Sequence, residues 1–294
     1  DQFQLLLEEA RSSGMTWVKE EKVWRAKQAS CLSFLESVKD YSDIFPKGVL
    51  ETVKKNEMPP ERVELKTPFK RSLLARDPLP SKDGGISFQV EDIISGISQN
   101  VFALFLEQGM GKSFISLSIL NHLREFQGVK NLLIVCEPTG IYNWRRYVLD
   151  ECLGKIEKKD ILIITKDNRE LLGTNDFAVT ICSFGTFRLC VDYFKKGKVK
   201  DPRNPVIPFK GNPKEWMLIV DESQNIGNHS SRQTKALLAH KSRFFFRYLL
   251  SGTPAINSPL KYYSQMEMLD STIFQGMSFT MFQNRIANVG TKYN

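Results

Sequence analysis

The chain has 294 residues and a formal net charge of +8 at pH 7, from 41 basic and 33 acidic side chains. Hydrophobic residues make up 41% of it, enough to build a proper core, which excludes a largely disordered chain. The length allows one large domain, or a small domain followed by a larger one. The basic excess is compatible with a polyanionic partner, but charge alone leaves an ordinary basic globular protein equally open.

Five cysteines are scattered along the chain without a close pair at metal-ligand spacing. An odd count without a disulfide framework indicates a reducing, intracellular compartment. Cys136 and Cys182 lie in apolar runs and are expected to be small core residues. No long apolar span is present, so no membrane partner is expected. Because the sequence begins at Asp1, we expect that a native start with targeting information could lie upstream.

Residues 1–56 are predicted to form a small α+β domain around aromatic side chains such as Trp17 and Trp24. The run 31–38 has apolar residues at i, i+3 and i+4 spacing, which predicts a helix. A second short helix is predicted after Pro46, since proline is favoured in a first helical turn. Residues 57–85 contain five prolines and two glycines, which predicts a linker between this domain and the next.

From residue 86 to residue 294, short apolar runs alternate with amphipathic stretches, and this region is predicted to be one larger domain. The predicted strands are 101–106, 132–136, 161–164, 178–182, 216–220 and 244–250. The predicted helices are roughly 112–126, 141–152 and 231–240. This alternation is typical of an α/β fold, a parallel sheet with helices on both faces. The stretch 195–214, rich in Lys, Pro, Gly and Asn, predicts an exposed loop.

The first predicted strand is followed by Glu-Gln-Gly-Met-Gly-Lys-Ser at 107–113, where a helix begins. Small residues let backbone N–H groups approach phosphate oxygens, and a helix N-terminus adds the positive end of its dipole. Lys112 would reach the β- and γ-phosphates of a nucleotide, and the Ser113 hydroxyl would ligate Mg²⁺. Leu106 stands where the usual phosphate loop has its first glycine, so an ordinary strand-to-helix turn stays an alternative for this segment alone.

Two carboxylates, Asp221 and Glu222, follow the apolar strand predicted at 216–220. In open parallel sheets, ligands bind at the carboxyl ends of the strands. Asp221 can hold Mg²⁺ through water, and Glu222 can orient and deprotonate an attacking water. An acidic turn at the end of a strand is the alternative, but in combination with the phosphate loop the pair predicts an ATPase site.

The strand predicted at 244–250 leads into Ser251, Gly252, Thr253 and Pro254. A hydroxyl-rich turn at this place would lie beside the carboxylate strand and could couple a nucleotide to the rest of a motor. By itself the turn is weak evidence, because glycine and proline mark the ends of many strands.

Together these segments resemble the first lobe of superfamily-two helicases, most closely of Swi/Snf-like translocases, over about residues 87–288. The resemblance implies a RecA-like P-loop lobe that uses ATP and Mg²⁺. The motif Ser-Phe-Gln at 87–89 is similar to the family's adenine-reading motif, which implies Gln89 as a contact to the base. The implied nucleotide-binding residues are Gln89, Gln108, Gly109, Met110, Gly111, Lys112 and Ser113.

The segment 221–228 resembles the family's D-E-x-H-x-I-K-N, with Gln224 in place of the usual histidine and Gly227 in place of lysine. The segment 251–257 is similar to T-G-T-P-x-x-N. Glutamine can still hydrogen-bond toward Ser251, Gly252 and Thr253, so we expect Gln224 to preserve the coupling of the two turns.

The track that nucleic acid follows in this family implies Thr139, Gly140 and Ser183 as contacts to the phosphate backbone. Arg145 and Arg146 could add charge or form a solvated helix face, and both alternatives stay open. The basic loop 195–214 is a further possible contact, although such loops are usually only surface.

The N-terminal module loosely resembles the substrate-recognition domains of annealing helicases and of phage branch-migration helicases, which implies a preference for branched DNA. A complete motor of this kind also needs a second RecA-like lobe that supplies an arginine finger, and only six residues follow 288. We therefore expect a longer parent protein, and a chain that alone binds ATP weakly and hydrolyses it slowly.

The leading hypothesis is ATP-driven translocation on duplex or branched DNA, with fork or junction processing. The alternatives are an RNA-directed helicase and a non-motor nucleic-acid-binding protein with a weakly active ATPase lobe. The expected location is intracellular: the cytoplasm of a prokaryotic or phage-infected cell, or the nucleus of a eukaryotic one.

Overall fold

The computed structural model describes one lobe with its side chains, and the backbone of two short strands near the N-terminus. The described residues are 16–18, 23–25, 62–81, 84–154, 156–195, 207–255, 257–274 and 277–292. The helices predicted at 31–38 and after Pro46 lie outside them, as do residues 196–206 of the predicted basic loop. Strands β1 (Thr16–Val18) and β2 (Val23–Arg25) form an antiparallel pair in which Trp17 lies opposite Trp24.

A six-stranded, wholly parallel sheet forms the centre of the lobe, as the sequence predicts. In chain order its strands are β3 (Val101–Phe105), β4 (Asn131–Cys136), β5 (Ile161–Ile163), β6 (Val179–Ser183), β7 (Trp216–Val220) and β8 (Phe246–Ser251). Their spatial order is β3-β8-β7-β4-β6-β5. Strands β4, β6, β7 and β8 are buried along their whole length, because helices cover both faces of the sheet.

Seven helices accompany the sheet in the described residues. They are α1 (Phe88–Ile97), α2 (Lys112–Gln127), α3 (Ile141–Glu151), α4 (Phe184–Lys195), α5 (Arg232–His240), α6 (Lys261–Leu269) and α7 (Phe279–Lys292). Helices α1, α2 and α3 pack on one face of the sheet, and α4, α5 and α6 contribute to the core of the other. The two cores share strand β4 by alternation: Leu132 and Ile134 face one, Leu133 and Val135 the other.

Apart from one-residue differences at several ends, and from helices α6 and α7, the structure differs from the predicted elements at α1, at α4 and at the last strand. Helices α1 and α4 were not predicted, because each follows directly on a segment that was interpreted only as a motif. The last strand was predicted from residue 244, but it begins at Phe246, since Phe244 closes a short turn by donating its N–H to Lys241 O. Phe244 is apolar because it is fully buried, which explains the wrong start.

Residues 62–81, the described part of the predicted linker, are irregular but lie against the lobe. Leu65, Phe69 and Leu74 pack on the core beside α1 and α2. The Lys70 N–H donates to His122 Nε2 at 3.0 Å, which ties the segment to helix α2. This segment therefore forms part of the lobe surface, while the predicted domain boundaries stay predictions.

The buried thiols match the expectation for core cysteines. Cys136 and Cys182 are both 0% exposed, and burial raises the pKa of the Cys136 thiol to about 12. Within the described part of the chain, no helix has the length and apolar character needed to cross a bilayer.

Candidate nucleotide-binding site

The glycine-rich loop joins β3 to α2 and has a backbone that only glycine adopts without strain. Gly109 and Gly111 both have a φ of 82°, in the left-handed region. A Cβ on Gly111 would also lie 2.4 Å from Gln89 Nε2, so the Gln89 amide would have to leave its hydrogen bonds to Leu79 and Met110. Glycine at 111 is therefore required both by the turn and by the close approach of α1.

Lys112 begins α2, and its side chain returns over the loop. Its Nζ donates hydrogen bonds to Leu106 O at 2.9 Å and Glu107 O at 3.1 Å. Leu106 thus takes part through its carbonyl, while its side chain packs on the core. The absence of a glycine at 106 therefore removes nothing from the loop.

The two carboxylates stand where β7 ends, at the same edge of the sheet as the glycine-rich loop. Asp221 Oδ2 accepts a hydrogen bond from Trp144 Nε1 at 2.8 Å, and Asp221 Oδ1 accepts from the Glu222 N–H at 3.0 Å. Burial raises the pKa of Asp221, while the bond from Trp144 opposes that shift. Glu222 has a φ of 49°, an uncommon conformation for a residue with a side chain.

The Ser251–Thr253 turn is joined to the carboxylates through Gln224. Gln224 Nε2 donates to Glu222 Oε2 at 2.8 Å, and Gln224 Oε1 accepts from Ser251 Oγ at 2.6 Å. The hydrogen bond predicted for this glutamine is therefore present. Ser251 Oγ in turn accepts from the Thr253 N–H at 3.0 Å. A continuous chain of hydrogen bonds connects Glu222 to the turn.

A second hydrogen-bonded link joins the same two turns. Ser223 Oγ donates to Gln265 Oε1 at 2.7 Å, and Gln265 Nε2 donates to Pro254 O at 2.6 Å. Both Ser223 and Gln265 are 0% exposed. Sequence reasoning missed Gln265, because it lies on α6, far along the chain from either motif.

These elements enclose one cavity of about 590 Å³. Its lining includes Gln108, Gly109, Gly111, Lys112, Ser113, Thr139, Gly140, Asp221, Glu222, Gln224 and Thr253. Most of the predicted nucleotide, metal and coupling residues therefore meet in one place. Met110 and Gly252 lie beside this lining: Met110 offers its carbonyl to Gln89, and a Cβ on Gly252 would lie 3.6 Å from Leu106 O.

The donor set fits a Mg²⁺ ion shared with a nucleotide. In the described residues no group of three or more His, Cys, Asp or Glu side chains could hold a metal by itself. Mg²⁺ in nucleotide sites is usually held by one or two protein oxygens together with phosphate oxygens and waters. Ser113 and Asp221, which face the same cavity, are suited to that arrangement.

Gln89, which the resemblance implied as a contact to the base, lies beside the glycine-rich loop. Its side chain is 1% exposed and does not line the cavity. Oε1 accepts from the Leu79 N–H at 2.9 Å, and Nε2 donates to Met110 O at 3.0 Å. Through these bonds Gln89 fixes the glycine-rich loop, and its role as a contact to the base stays a prediction.

Ser183 is 7% exposed, and its Oγ accepts from the Thr186 N–H at 3.0 Å, which caps the first turn of α4. Its assignment as a contact to the phosphate backbone stays a prediction. Thr139 is exposed in the short turn Pro138–Gly140, and with Gly140 it lines the cavity, so their assignment as nucleic-acid contacts stays a prediction.

Seven further side chains line the cavity without having been predicted as site residues: Arg76, Phe114, Glu137, Asn143, Trp144, Tyr147 and Glu151. The pair Asn143 and Trp144, which follows β4, could have suggested a site role. No sequence pattern distinguishes Arg76 or Glu151 from ordinary surface charges.

A parallel sheet with a glycine-rich loop after one strand and two carboxylates after another defines a RecA-like, P-loop nucleotide-binding lobe. The family model described as SNF2-related domain matches residues 27–292. The chain belongs to this family, and its described lobe is a superfamily-two helicase lobe of the Swi/Snf type.

Individual proteins show the same likeness. Helicase ssl-1 of Caenorhabditis elegans is 28% identical over 178 residues, which are 57% of this chain and 6% of that protein. The SWI/SNF-related matrix-associated actin-dependent regulator of chromatin subfamily A-like protein 1 of Drosophila melanogaster is 23% identical over 237 residues, 80% of this chain and 27% of the relative. This chain thus spans about a quarter or less of the length of these relatives.

Among solved structures, the Sulfolobus solfataricus SWI2/SNF2 ATPase core in complex with dsDNA has a similar fold. The TM-score is 0.51 at 17% sequence identity, and the match covers 67% of this chain and 37% of that chain. At this level of identity the likeness concerns the fold.

Proposed function

We propose that this lobe binds ATP with Mg²⁺ and hydrolyses it, and that hydrolysis drives movement on, or remodelling of, duplex or branched DNA. The observation that carries the proposal is the hydrogen-bonded chain Glu222–Gln224–Ser251, which faces the same cavity as the glycine-rich loop. Through this chain, a change at the γ-phosphate can reach the Ser251–Thr253 turn, as coupling in a motor requires.

Each side chain has a separate role in nucleotide binding or hydrolysis. Lys112 leaves the two carbonyls it now contacts and binds the β- and γ-phosphates, while the loop N–H groups hold the phosphate oxygens. Ser113 and Asp221 would hold Mg²⁺, which would neutralise charge at the phosphates. Glu222 orients the attacking water and accepts its proton, and Gln224 keeps that carboxylate in position.

DNA is the proposed track because a relative of similar fold is described in complex with dsDNA, and the relatives' names refer to a helicase and a regulator of chromatin. Thr139 and Gly140 are proposed as phosphate-backbone contacts. The names that refer to chromatin also favour the nucleus as location over a prokaryotic or phage-infected cytoplasm. A preference for branched DNA rests on the N-terminal resemblance alone.

A second RecA-like lobe is the proposed partner in catalysis, since an arginine from it would stabilise the transition state. Residues 1–294 alone should then bind ATP weakly and turn it over slowly. A rate for this lobe alone that equals the rate of the lobe joined to its partner would contradict the proposal.

The test compares ATP turnover in the presence of duplex DNA, forked DNA, single-stranded DNA and RNA, using the protein with both lobes. We expect DNA to stimulate more than RNA, and Lys112→Ala to reduce turnover at least about a hundred-fold with DNA binding retained. Lys235→Ala, on the exposed surface of α5, is the matched control. Stimulation by RNA alone would establish the RNA-directed alternative, and turnover that survives in Lys112→Ala would refute the assigned phosphate site.

A further inference from the structure

A second cavity, of about 360 Å³, lies at the edge of the sheet opposite the nucleotide-binding site. Lys130 and Ala178 line it, and they stand directly before strands β4 and β6, at the amino ends of those strands. The glycine-rich loop and the carboxylates follow the carboxyl ends of parallel strands, so they lie at the other edge. Along α2, Arg124 in the second cavity is about 18 Å from Lys112 in the first, at about 1.5 Å per residue. No step of the proposed ATP chemistry uses this cavity.

The second cavity has apolar walls. Leu73, Ile156 and Ala178 are half-buried in it, and Leu153 is 36% exposed. Ile156 and Ala178 also pack on the core, so the walls are continuous with the interior of the lobe. An apolar side chain that enters the cavity therefore removes apolar surface from water on both partners.

The walls are fixed before any ligand arrives, because Asn121 on α2 joins the segments around them. Asn121 Nδ2 donates to Leu73 O at 3.2 Å and to Glu151 O at 3.1 Å. Asn121 Oδ1 accepts from the Leu153 N–H at 3.0 Å. Asn121 is itself only 3% exposed. One buried amide thus holds the irregular segment and the end of α3 in place, which lowers the ordering cost of binding.

Arg124 brings a half-buried cation to this cavity. Its Nη2 donates to Ala178 O at 3.3 Å, and the Cys152 thiol is a second polar neighbour. Among the described residues, no carboxylate lies within 4.0 Å of the guanidinium. Burial lowers the pKa of Arg124, because the charged form has lost part of its water. A guanidinium has five N–H donors in a geometry that suits a carboxylate, so Arg124 lacks the partner that it binds best.

The other charged groups at this cavity face solvent. Lys130 is 69% exposed and forms an ion pair with Glu215, and Glu125 is exposed on the surface of α2. Water screens such charges, whereas a half-buried charge is screened less. Arg124 is therefore the group with the strongest attraction for an anion inside the cavity.

We propose that this cavity is a docking site for a peptide segment of a partner protein, with an apolar side chain between Leu73, Leu153 and Ala178 and a carboxylate on Arg124. A peptide is favoured over a small molecule because the cavity opens to solvent beside the exposed Leu153, where a longer chain continues over the surface. Arginine among apolar side chains, with other charges at the rim, is typical of the centre of a protein–protein interface. In an extended segment, residues i and i+2 point to the same side, so the peptide carries an acidic residue two positions from an apolar one.

The test selects binders of the full chain from a random heptapeptide library and measures their affinities by fluorescence anisotropy. We expect the selected peptides to share the acidic and apolar pair, and Arg124→Gln to weaken them at least about ten-fold. Replacing the acidic residue of the peptide by its amide should cost a similar factor, and that loss should be absent in Arg124→Gln, because both changes break one contact. Arg232→Gln, on the exposed surface of α5, removes the same charge elsewhere and should leave the affinities unchanged.

Equal losses in Arg124→Gln and Arg232→Gln would show that acidic peptides bind through overall charge, and would overturn the proposal. A selection without the acidic and apolar pair would overturn it as well. Should Arg124→Gln fail to fold, as judged by circular dichroism, Leu153→Ser provides the test, since this exposed side chain can change while its N–H keeps the bond to Asn121. Peptide binding should then fall several-fold, and unchanged binding would contradict the docking site.

Discussion

The two ends of the cavity are built differently. At the phosphate end the polar side chains pair with one another or with nearby backbone: Lys112 with two carbonyls, and Gln224 with both Glu222 and Ser251. At the base end, Arg76 and Glu151 form a single bond and leave one buried carboxylate oxygen without a partner in the described chain. The first end is a closed hydrogen-bond network, whereas the second contains an unpaired acceptor.

Because of this difference, we expect the two ends to affect different properties, namely ATP turnover and nucleotide preference. A triphosphate must exchange existing hydrogen bonds at the phosphate end, so its arrival and departure change the network that reaches the Ser251–Thr253 turn. At the other end, Asn121 already fixes the wall that carries Arg76 and Glu151. Substitutions at the two ends should therefore affect turnover and nucleotide preference separately.

The largest effect is expected for Glu222→Gln. The amide keeps the size of the side chain and an oxygen to accept from Gln224, but it cannot take a proton from water. Turnover in the two-lobe protein should fall by about 10²–10⁴-fold while ATP affinity and the preference over inosine triphosphate stay unchanged. Single-turnover kinetics beside calorimetric binding measure both quantities. A loss of nucleotide preference in Glu222→Gln would show that the two ends of the cavity do not act separately.

The phosphate end was predictable because each of its parts is a short continuous segment placed directly after a strand. The glycine-rich loop follows β3, the carboxylates follow β7, and the hydroxyl-rich turn follows β8. An apolar run and the residues directly after it are therefore enough to predict each part. The parallel sheet itself follows from the same runs. Even the hydrogen bond of Gln224 was predicted, since neighbouring strand ends put the two turns side by side.

The base end was not predictable, because its residues come from an irregular segment, the first turn of α2 and the last turn of α3. Only the packed fold brings Arg76 to Phe114, and only burial makes Glu151 different from Asp150 beside it. Burial also distinguishes Gln89 and Ser183 from the other predicted site residues, because backbone groups already use their polar atoms.

An intermediate effect is expected at the bond between Gln224 and Ser251. Gln224→Leu and Ser251→Ala should each reduce DNA-stimulated turnover about ten-fold, and the double variant should lose little more than either one. The reason is that both substitutions break the same 2.6 Å contact. Unstimulated ATP binding should change little. Effects that multiply in the double variant would show that the two residues act independently, and that the network does not connect the carboxylates to the turn.

The smallest effect on function is expected for Gln89→Leu, and it separates the two possible roles of this residue. The leucine fills the same buried space but leaves Leu79 N and Met110 O without their partner, which should destabilise the lobe by about 1–3 kcal/mol. A loosened glycine-rich loop should weaken ATP and inosine triphosphate binding alike, by a few-fold each. Thermal unfolding and the two binding constants test this. If Gln89→Leu selectively weakened ATP, the glutamine would read the base.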